Sequence, residues 1–211
     1  MLDRIKRMTG MKKIGHAGTL DPLARGVLIV AVGREGTRQL AMLMKQEKEY
    51  RARIFLGVTS TTDDAGGKKT IQTVERIPTR AGIESVLPRF VGMIEQTPPA
   101  FSAIKTAGKR AYRLARRGEE IALAPRTVEV KEIELLAYAW PILTLRVVTG
   151  SGVYIRALAR DIGQALGVGG YIADLERTRV GDFIREQAIS ISREGKKYED
   201  RLELDDRMVA K

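Results

Sequence analysis

The order of hydrophobic and polar positions along the chain predicts a mixed α/β protein with long antiparallel strands. Residues 26 to 32 (GVLIVAV) are an uninterrupted apolar run between Arg25 and Gly33, the pattern of a buried strand. Residues 35 to 46 carry helix formers, with apolar side chains at Leu40, Met42, Leu43 and Met44. Tyr50 to Gly57 alternates as a half-buried strand does, then gives way to the polar turn sequence TSTTDDAGGKK. A short strand at Thr70 to Val74 and a helix near Ala81 to Phe90 follow. Thr127 to Tyr138 and Ile142 to Thr149 are β-rich runs separated by Trp140 and Pro141, and they predict an antiparallel pair. Ser151 to Leu166 predicts an amphipathic helix, because Ile155, Leu158, Ile162 and Leu166 recur at three- and four-residue spacing. No internal repeat or low-complexity linker interrupts the pattern, and the residues from Ser192 onward form a polar terminal extension.

Composition narrows the function classes. A chain of 211 residues can bury a full core without staples, and two independent domains would be cramped. It holds 37 Lys plus Arg against 26 Asp plus Glu, a formal net charge of +11, with a normal apolar fraction of 44%. Such a balance in a folded protein points to a polyanionic partner, nucleic acid ahead of a membrane surface. The absence of cysteine excludes disulfides, thiolate catalysis and sulfur-ligated zinc or iron; His16, the single histidine, excludes a multi-histidine metal site. No apolar run reaches the length needed to span a bilayer and no signal-peptide pattern opens the sequence, so a cytoplasmic protein is expected.

Charge also singles out one segment. Lys105 to Arg117 (KTAGKRAYRLARR) contains Lys105, Lys109, Arg110, Arg113, Arg116 and Arg117 and no acidic residue. On a helix starting near Lys109, Arg110, Arg113 and Arg117 share a face close to Tyr112. A solvated face normally mixes signs, whereas like charges repel until a polyanion relieves them; nucleic-acid contact is the expectation.

The stretch GHAGTLDPLARGVL, Gly15 to Leu28, is a glycine-punctuated loop. Pro22 disfavours the α region for the residue before it, so Asp21 sits on a stiff, extended turn. By spacing alone Asp21 is either a presented carboxylate or an Asx-type turn residue, and His16 is either a structural histidine or a functional one. No GxxxxGK[ST] phosphate loop is present, and nothing favours a Ser-His-Asp triad. Carboxylate, tyrosine and arginine chemistry remains.

Several blocks resemble one family. Gly15-His16-Ala17-Gly18-Thr19-Leu20-Asp21-Pro22-Leu23-Ala24, followed by Gly26-Val27-Leu28, is similar to the signature of the bacterial tRNA pseudouridine-55 synthases, the TruB family. Lys48-Glu49-Tyr50 resembles the K-x-Y strand of that family, and residues 61 to 67 (TTDDAGG) its acidic turn. Residues 97 to 105 (TPPAFSAIK) with 108 to 112 (GKRAY) resemble its RNA-clasping insertion, and residues 151 to 163 (SGVYIRALARDIG) its G-x-Y-I-R helix start.

The resemblance implies a pseudouridine-synthase fold: α/β (α+β), a long, mostly antiparallel mixed sheet flanked by helices, with a central RNA-binding cleft. It implies one catalytic domain over residues 1–211, a basic insertion over 96–127, and no complete carboxy-terminal RNA-binding domain. Asp21 would be the nucleophile in an isomerisation of the T-loop uridine of tRNA, U55, with no cofactor and no metal. Arg156 would pair with Asp21, although taken alone it reads as a surface arginine beside Asp161. Tyr50 would lie against the extracted uracil and relay the proton lost from C5. Tyr154 and Leu175 match substrate-pocket positions, and Asp64 a residue bracing the arginine. The target base must leave its stack before a carboxylate can reach it, and His16 would fill the vacated space. Lys105, Lys109, Arg110, Arg113, Arg116 and Arg117 would hold phosphates of the T arm, with Arg4, Lys6, Arg7, Lys12 and Lys13 forming a second basic cluster beside the Asp21 loop. The implied partner is tRNA, the protein a monomer.

The sequence departs from the family in two respects: little remains at its end for the small carboxy-terminal RNA-binding domain that many relatives carry, and its start differs. A strand of the G-x-x-x-x-D-K-P-x-G-x-T-S kind is absent ahead of the GHAGTLD loop, and Met1 to Met8 resembles the tail of the helix that follows that strand. The alternative expectation is therefore a tRNA-binding or tRNA-folding module with weak or no catalysis.

Overall fold

The computed structural model describes residues 1–102, 104–106, 109–115, 117 and 123–190. Helix α1 (Leu2–Thr9) stops at Gly10, whose φ of 67° lets its N–H turn back to the Lys6 carbonyl. Strand β1 (Ile14–Ala17), the two-residue strand β2 (Arg25–Gly26) and strand β3 (Ile29–Val32) follow. β1 and β3 form their own antiparallel ribbon, with His16 opposite Val30. The apolar run 26–32 is thus not one buried strand. Gly26, at φ 102°, breaks it, and of β3 only Ala31 is buried.

Helices α2 (Gly33–Arg38) and α3 (Leu40–Lys45) replace the single helix expected over 35–46, and Met42 and Met44 are exposed. Strand β4 (Lys48–Leu56) alternates in burial, as its sequence predicts. The short strands β5 (Val58–Ser60) and β6 (Lys69–Ile71) pair across the acidic turn, and β6 ends three residues before the expected Val74. Helix α4 (Arg80–Val86) is capped by the Thr79 hydroxyl, which accepts the Gly82 N–H at 3.1 Å. Strand β7 (Gly92–Gln96) lies at the sheet edge.

Strands β8 (Lys105–Thr106) and β9 (Lys109–Arg110) form a small hairpin ahead of helix α5 (Ala111–Ala115). The expected helix therefore begins two residues after Lys109, which is spent on the hairpin. Arg116 and the side chains of Lys105, Lys109, Arg110 and Arg113 lie outside the described residues, while Arg117 is exposed.

Strands β10 (Arg126–Ala139) and β11 (Ile142–Thr149) make the expected antiparallel pair. Helix α6 (Ile155–Ala165) starts four residues later than its periodicity suggests, because Gly152 has a φ of 88° and Tyr154 is extended. Strands β12 (Gly170–Val180) and β13 (Phe183–Ile184) are the last strands among the described residues. The main sheet has the order β13-β12-β4-β11-β10-β7, with β2 added parallel to β12. Every other pairing in it is antiparallel.

β12 is the longest element that the sequence pattern misses, although it lies beside β4 in the sheet. Its residues 174–179 (DLERTR) do not alternate, since Leu175, Glu176 and Arg177 are all buried. One sheet face carries Tyr50, Ala52, Ile54 and Leu56 of β4 together with Leu143, Leu145 and Val147 of β11. α6 lays Ile155, Leu158, Ala159 and Ile162 into the same core. Each large side chain buried there contributes roughly 1.5–3 kcal/mol, which fixes the helix start over the end of the sheet that holds Tyr50.

Candidate active site

The segment between β1 and β2 delivers Asp21 on a tight turn: its carbonyl accepts the Ala24 N–H at 2.9 Å, with Pro22 at the second turn position. Its side chain, about one-third exposed, points at Arg156 in the first turn of α6. The contact is two-pronged, Arg156 Nε to Asp21 Oδ2 at 2.9 Å and Nη2 to Oδ1 at 3.1 Å. The same guanidinium donates to the Thr62 carbonyl at 3.0 Å and the Phe101 carbonyl at 3.1 Å, and lies 3.4 Å from Asp64 Oδ2. Arg156 is nearly buried, with 5% of its side chain exposed, so it is not the surface arginine that its sequence neighbourhood allows. Arg160, one turn on, takes Asp161 instead.

Asp64 is itself held in place. Its Oδ1 accepts the Thr62 hydroxyl at 2.6 Å and the Gly66 N–H at 2.8 Å. Its neighbour Asp63 adopts a φ of 57° and pairs with Arg160 at 2.9 Å. Burial raises the Asp63 pKa above the usual carboxylate range, and the Arg160 and Arg156 charges oppose that rise. The acidic turn is therefore gripped by two arginines from successive turns of one helix.

Tyr50 is buried on β4, opposite Val147 of β11 and Arg177 of β12. Burial pushes its phenol above the usual tyrosine range; the Arg177 guanidinium beside it pulls the other way, and the Asp21 charge pushes it further up. Leu175, 3% exposed, pairs in register with Ala52 on the same face. Tyr154 caps α6 on its main chain: its N–H donates to Gln96 Oε1 at 2.8 Å, and its carbonyl accepts from Gln96 Nε2 at 3.2 Å. Burial raises the Tyr154 pKa, and the Asp21 charge again reaches the phenol.

The fold thus brings together Asp21, Arg156 and Asp64 by direct contact, with Tyr50 and Tyr154 within reach of the Asp21 charge. His16 is half-buried on β1, and its Nδ1 has no hydrogen-bond partner among the described residues.

Arg177 is a residue of the candidate site that sequence reasoning misses. It is 1% exposed, and no carboxylate pairs with it among the described residues. Its Nε donates to the Val27 carbonyl at 2.7 Å and its Nη2 to the Gly18 carbonyl at 3.3 Å, while its own carbonyl accepts the Val27 N–H at 2.8 Å. A Cβ at Gly26 would collide with the Arg177 backbone, so only glycine lets the loop close onto β12 there. Arg177 thus clasps both ends of the loop that carries Asp21. Lys48 lies nearby with its ammonium on the Met44 and Gln46 carbonyls at 2.9 and 2.5 Å; burial, then the Arg177 charge, lowers its pKa. A buried arginine held by main-chain carbonyls leaves no periodic signal in the sequence.

No group of three or more potential ligand side chains that could hold a metal ion occurs among the described residues, and none of their helices is long and apolar enough to cross a membrane.

Known proteins share this chain's pattern. Residues 6–155 match the model of the TruB family pseudouridylate synthase N-terminal domain, and residues 156–199 that of the tRNA pseudouridylate synthase B C-terminal domain. A protein of Parabacteroides distasonis named tRNA pseudouridine synthase B is 50% identical over 181 residues, covering 84% of this chain and 75% of that protein. One of the same name from Phocaeicola vulgatus is 47% identical over 189 residues, covering 89% and 80%. Among solved structures, one from a Cbf5-Nop10-Gar1 complex superposes with a TM-score of 0.65 at 33% identity over 87% of this chain. The match spans 45% of that structure's chain. With matching models running through both the loop of Asp21 and the helix of Arg156, the chain belongs to the TruB family of pseudouridylate synthases.

Proposed function

We propose that this protein is a tRNA pseudouridine synthase acting on the T-loop uridine, U55, with Asp21 as the nucleophile. The two-pronged Asp21–Arg156 contact carries the reading, because it aims a carboxylate at a fixed place near the phenols of Tyr50 and Tyr154. The names of the curated relatives supply the substrate class, tRNA.

In this reading the uridine is flipped out of its stack, and His16 fills the space it leaves. The C1′–N1 bond breaks as the Asp21 carboxylate adds to C1′ or stabilises the charge there, and the electron pair departs with the uracil. The uracil turns so that C5 faces C1′, a C5–C1′ bond forms, and the carboxylate is released. The proton on C5 leaves by way of Tyr50, and N1 gains one, so no atom is lost and no redox partner is required. Arg156 positions the carboxylate, Asp64 braces Arg156, and Tyr154 and Leu175 wall the base pocket. The insertion over 96–127, with Lys105, Lys109, Arg110, Arg113, Arg116 and Arg117, holds T-arm phosphates. The protein works as a monomer.

The test is incubation with an unmodified tRNA transcript, followed by carbodiimide treatment and primer extension. A stop at the T-loop position that disappears in Asp21→Asn is the expected result. No stop with wild-type protein, or the same stop in Asp21→Asn, overturns the reading. Salt-sensitive tRNA binding without any stop would instead identify a binding or folding module.

A further inference from the structure

Gln96, the last residue of β7, is polar and only 1% exposed, and both ends of its carboxamide go to the main chain of one residue. Its Oε1 accepts the Tyr154 N–H at 2.8 Å, and its Nε2 donates to the Tyr154 carbonyl at 3.2 Å. A carboxamide carries a donor and an acceptor side by side without charge, so it closes on a single residue as a neighbouring strand would. Burying such a group is costly unless both bonds are made, and here both are.

Tyr154 is the residue at which the chain turns from extended to helical, with φ −99° and ψ 107°, and its own side chain does not cap α6. Its carbonyl also accepts the Leu158 N–H at 3.0 Å, the bond that opens the helical ladder. Gln96 thereby fixes the start of α6 two residues before Arg156. The same end of β7 makes further ties to the helix: the Thr97 carbonyl accepts from Arg160 Nη2 at 2.8 Å, and the Phe101 carbonyl from Arg156 Nη2 at 3.1 Å. Gln96 is in register with Arg126, the first residue of β10, so it stands where residues 97–125 leave and re-enter the sheet.

The Asp21–Arg156 contact therefore spans two separate supports. The Asp21 loop is held on β12 by Arg177, whereas the helix start that presents Arg156 is held on β7, the far edge of the sheet. We propose that Gln96 is a positioning residue for the isomerisation, setting Tyr154 and Arg156 against the Asp21 loop without touching the RNA. The inference rests on the proposed activity and extends it to a side chain outside the pocket wall. Displacing a reacting group by about 1 Å lowers a rate on the order of a hundredfold, and a loosened helix start displaces Arg156 and Tyr154 together.

The experiment is single-turnover pseudouridine formation by the full chain over a series of unmodified tRNA concentrations, with urea unfolding of each variant alongside. Gln96→Met keeps the side-chain length and removes both bonds. Its rate at saturating tRNA should fall at least about tenfold, while the concentration for half-maximal rate stays within about twofold. Gln96→Glu keeps the acceptor for the Tyr154 N–H and turns the donor into a second acceptor facing the Tyr154 carbonyl. It retains one of the two bonds for folding and should be slowed in the same way. Ile83→Val, at a buried residue of α4 that takes part in none of these bonds, should lower stability and keep the saturated rate. A folded Gln96 variant with the wild-type saturated rate, a loss of affinity as large as the loss of rate, or an equal slowing in Ile83→Val overturns the inference. A wild type that forms no pseudouridine overturns the proposed activity along with it, whereas an active wild type beside unaffected Gln96 variants sinks this inference alone.

Discussion

Tyr50 and Arg177 face each other across β4 and β12 as a direct register pair, one a buried phenol and the other a buried guanidinium held by the carbonyls of Val27 and Gly18. The pairing links the candidate pocket to the loop clasp, because the same arginine grips both ends of the Asp21 loop. Arg177→Met removes the donors and leaves both carbonyls without them. We expect it to cost about 2–3 kcal/mol in urea unfolding and to lower turnover more than RNA affinity. Arg177→Lys, which keeps the charge and one donor direction, should recover part of each.

The raised pKa of Tyr50 has a definite sign for stability. A group whose pKa is higher in the folded state stabilises fully below its unfolded value, near 10, and that contribution fades as pH climbs through the folded value. Tyr138, Tyr154 and Tyr171 are raised by burial too and act in the same direction, whereas Lys48 and Lys69 are lowered and act oppositely. Comparison with Tyr50→Phe isolates one of them. Between pH 9 and 11, on the order of the free tyrosine pKa, the wild type should lose more stability than the variant in parallel denaturant titrations.

The Asp21–Arg156 pair is asymmetric in what it leaves behind. Asp21→Asn keeps Arg156 on Asp64 and on two carbonyls, so unfolding free energy should change by about 1 kcal/mol or less while pseudouridine formation is lost. Arg156→Met strands two carboxylates beside a core and should cost about 3 kcal/mol or more. Thermal and urea unfolding of the two variants side by side checks the order.

Gly26→Ala tests the loop closure without touching a charged group. The substituted residue meets the Arg177 backbone at a φ where L side chains are strained. A loss of at least about 1–2 kcal/mol is expected, with reduced turnover. A fully active, equally stable alanine variant would show that the contact is dispensable.

Much of this architecture is legible in the sequence where burial is one-sided. β4, β10 and the body of α6 follow their periodicity, because each has a more buried and a wetter face, whereas β11, buried on both faces at Thr144, Leu145, Val147, Val148 and Thr149, is legible as an unbroken β-rich run. The pattern fails where charge is buried: β12 hides Glu176 and Arg177, and no alternation rule marks a strand that faces polar partners inward. It also fails at 26–32, where an apolar run is cut by a glycine whose conformation depends on a strand about 150 residues away. The Asp21 loop is recognisable as a motif, but the carbonyls of Thr62 and Phe101 that complete the grip on Arg156 are main-chain groups, and no side-chain pattern announces them.

The place of β12 beside β4 has a consequence for how the polypeptide can be divided. The two family models meet between residues 155 and 156, yet that junction separates Asp21 from Arg156 and Tyr50 from Arg177. A fragment ending there keeps the carboxylate and loses its counter-ion, and it also exposes the long edge of β4 that β12 covers. The two named segments are therefore halves of one cooperative unit: expressed apart, neither carries a working pocket, and activity returns only if they find each other and knit the sheet together.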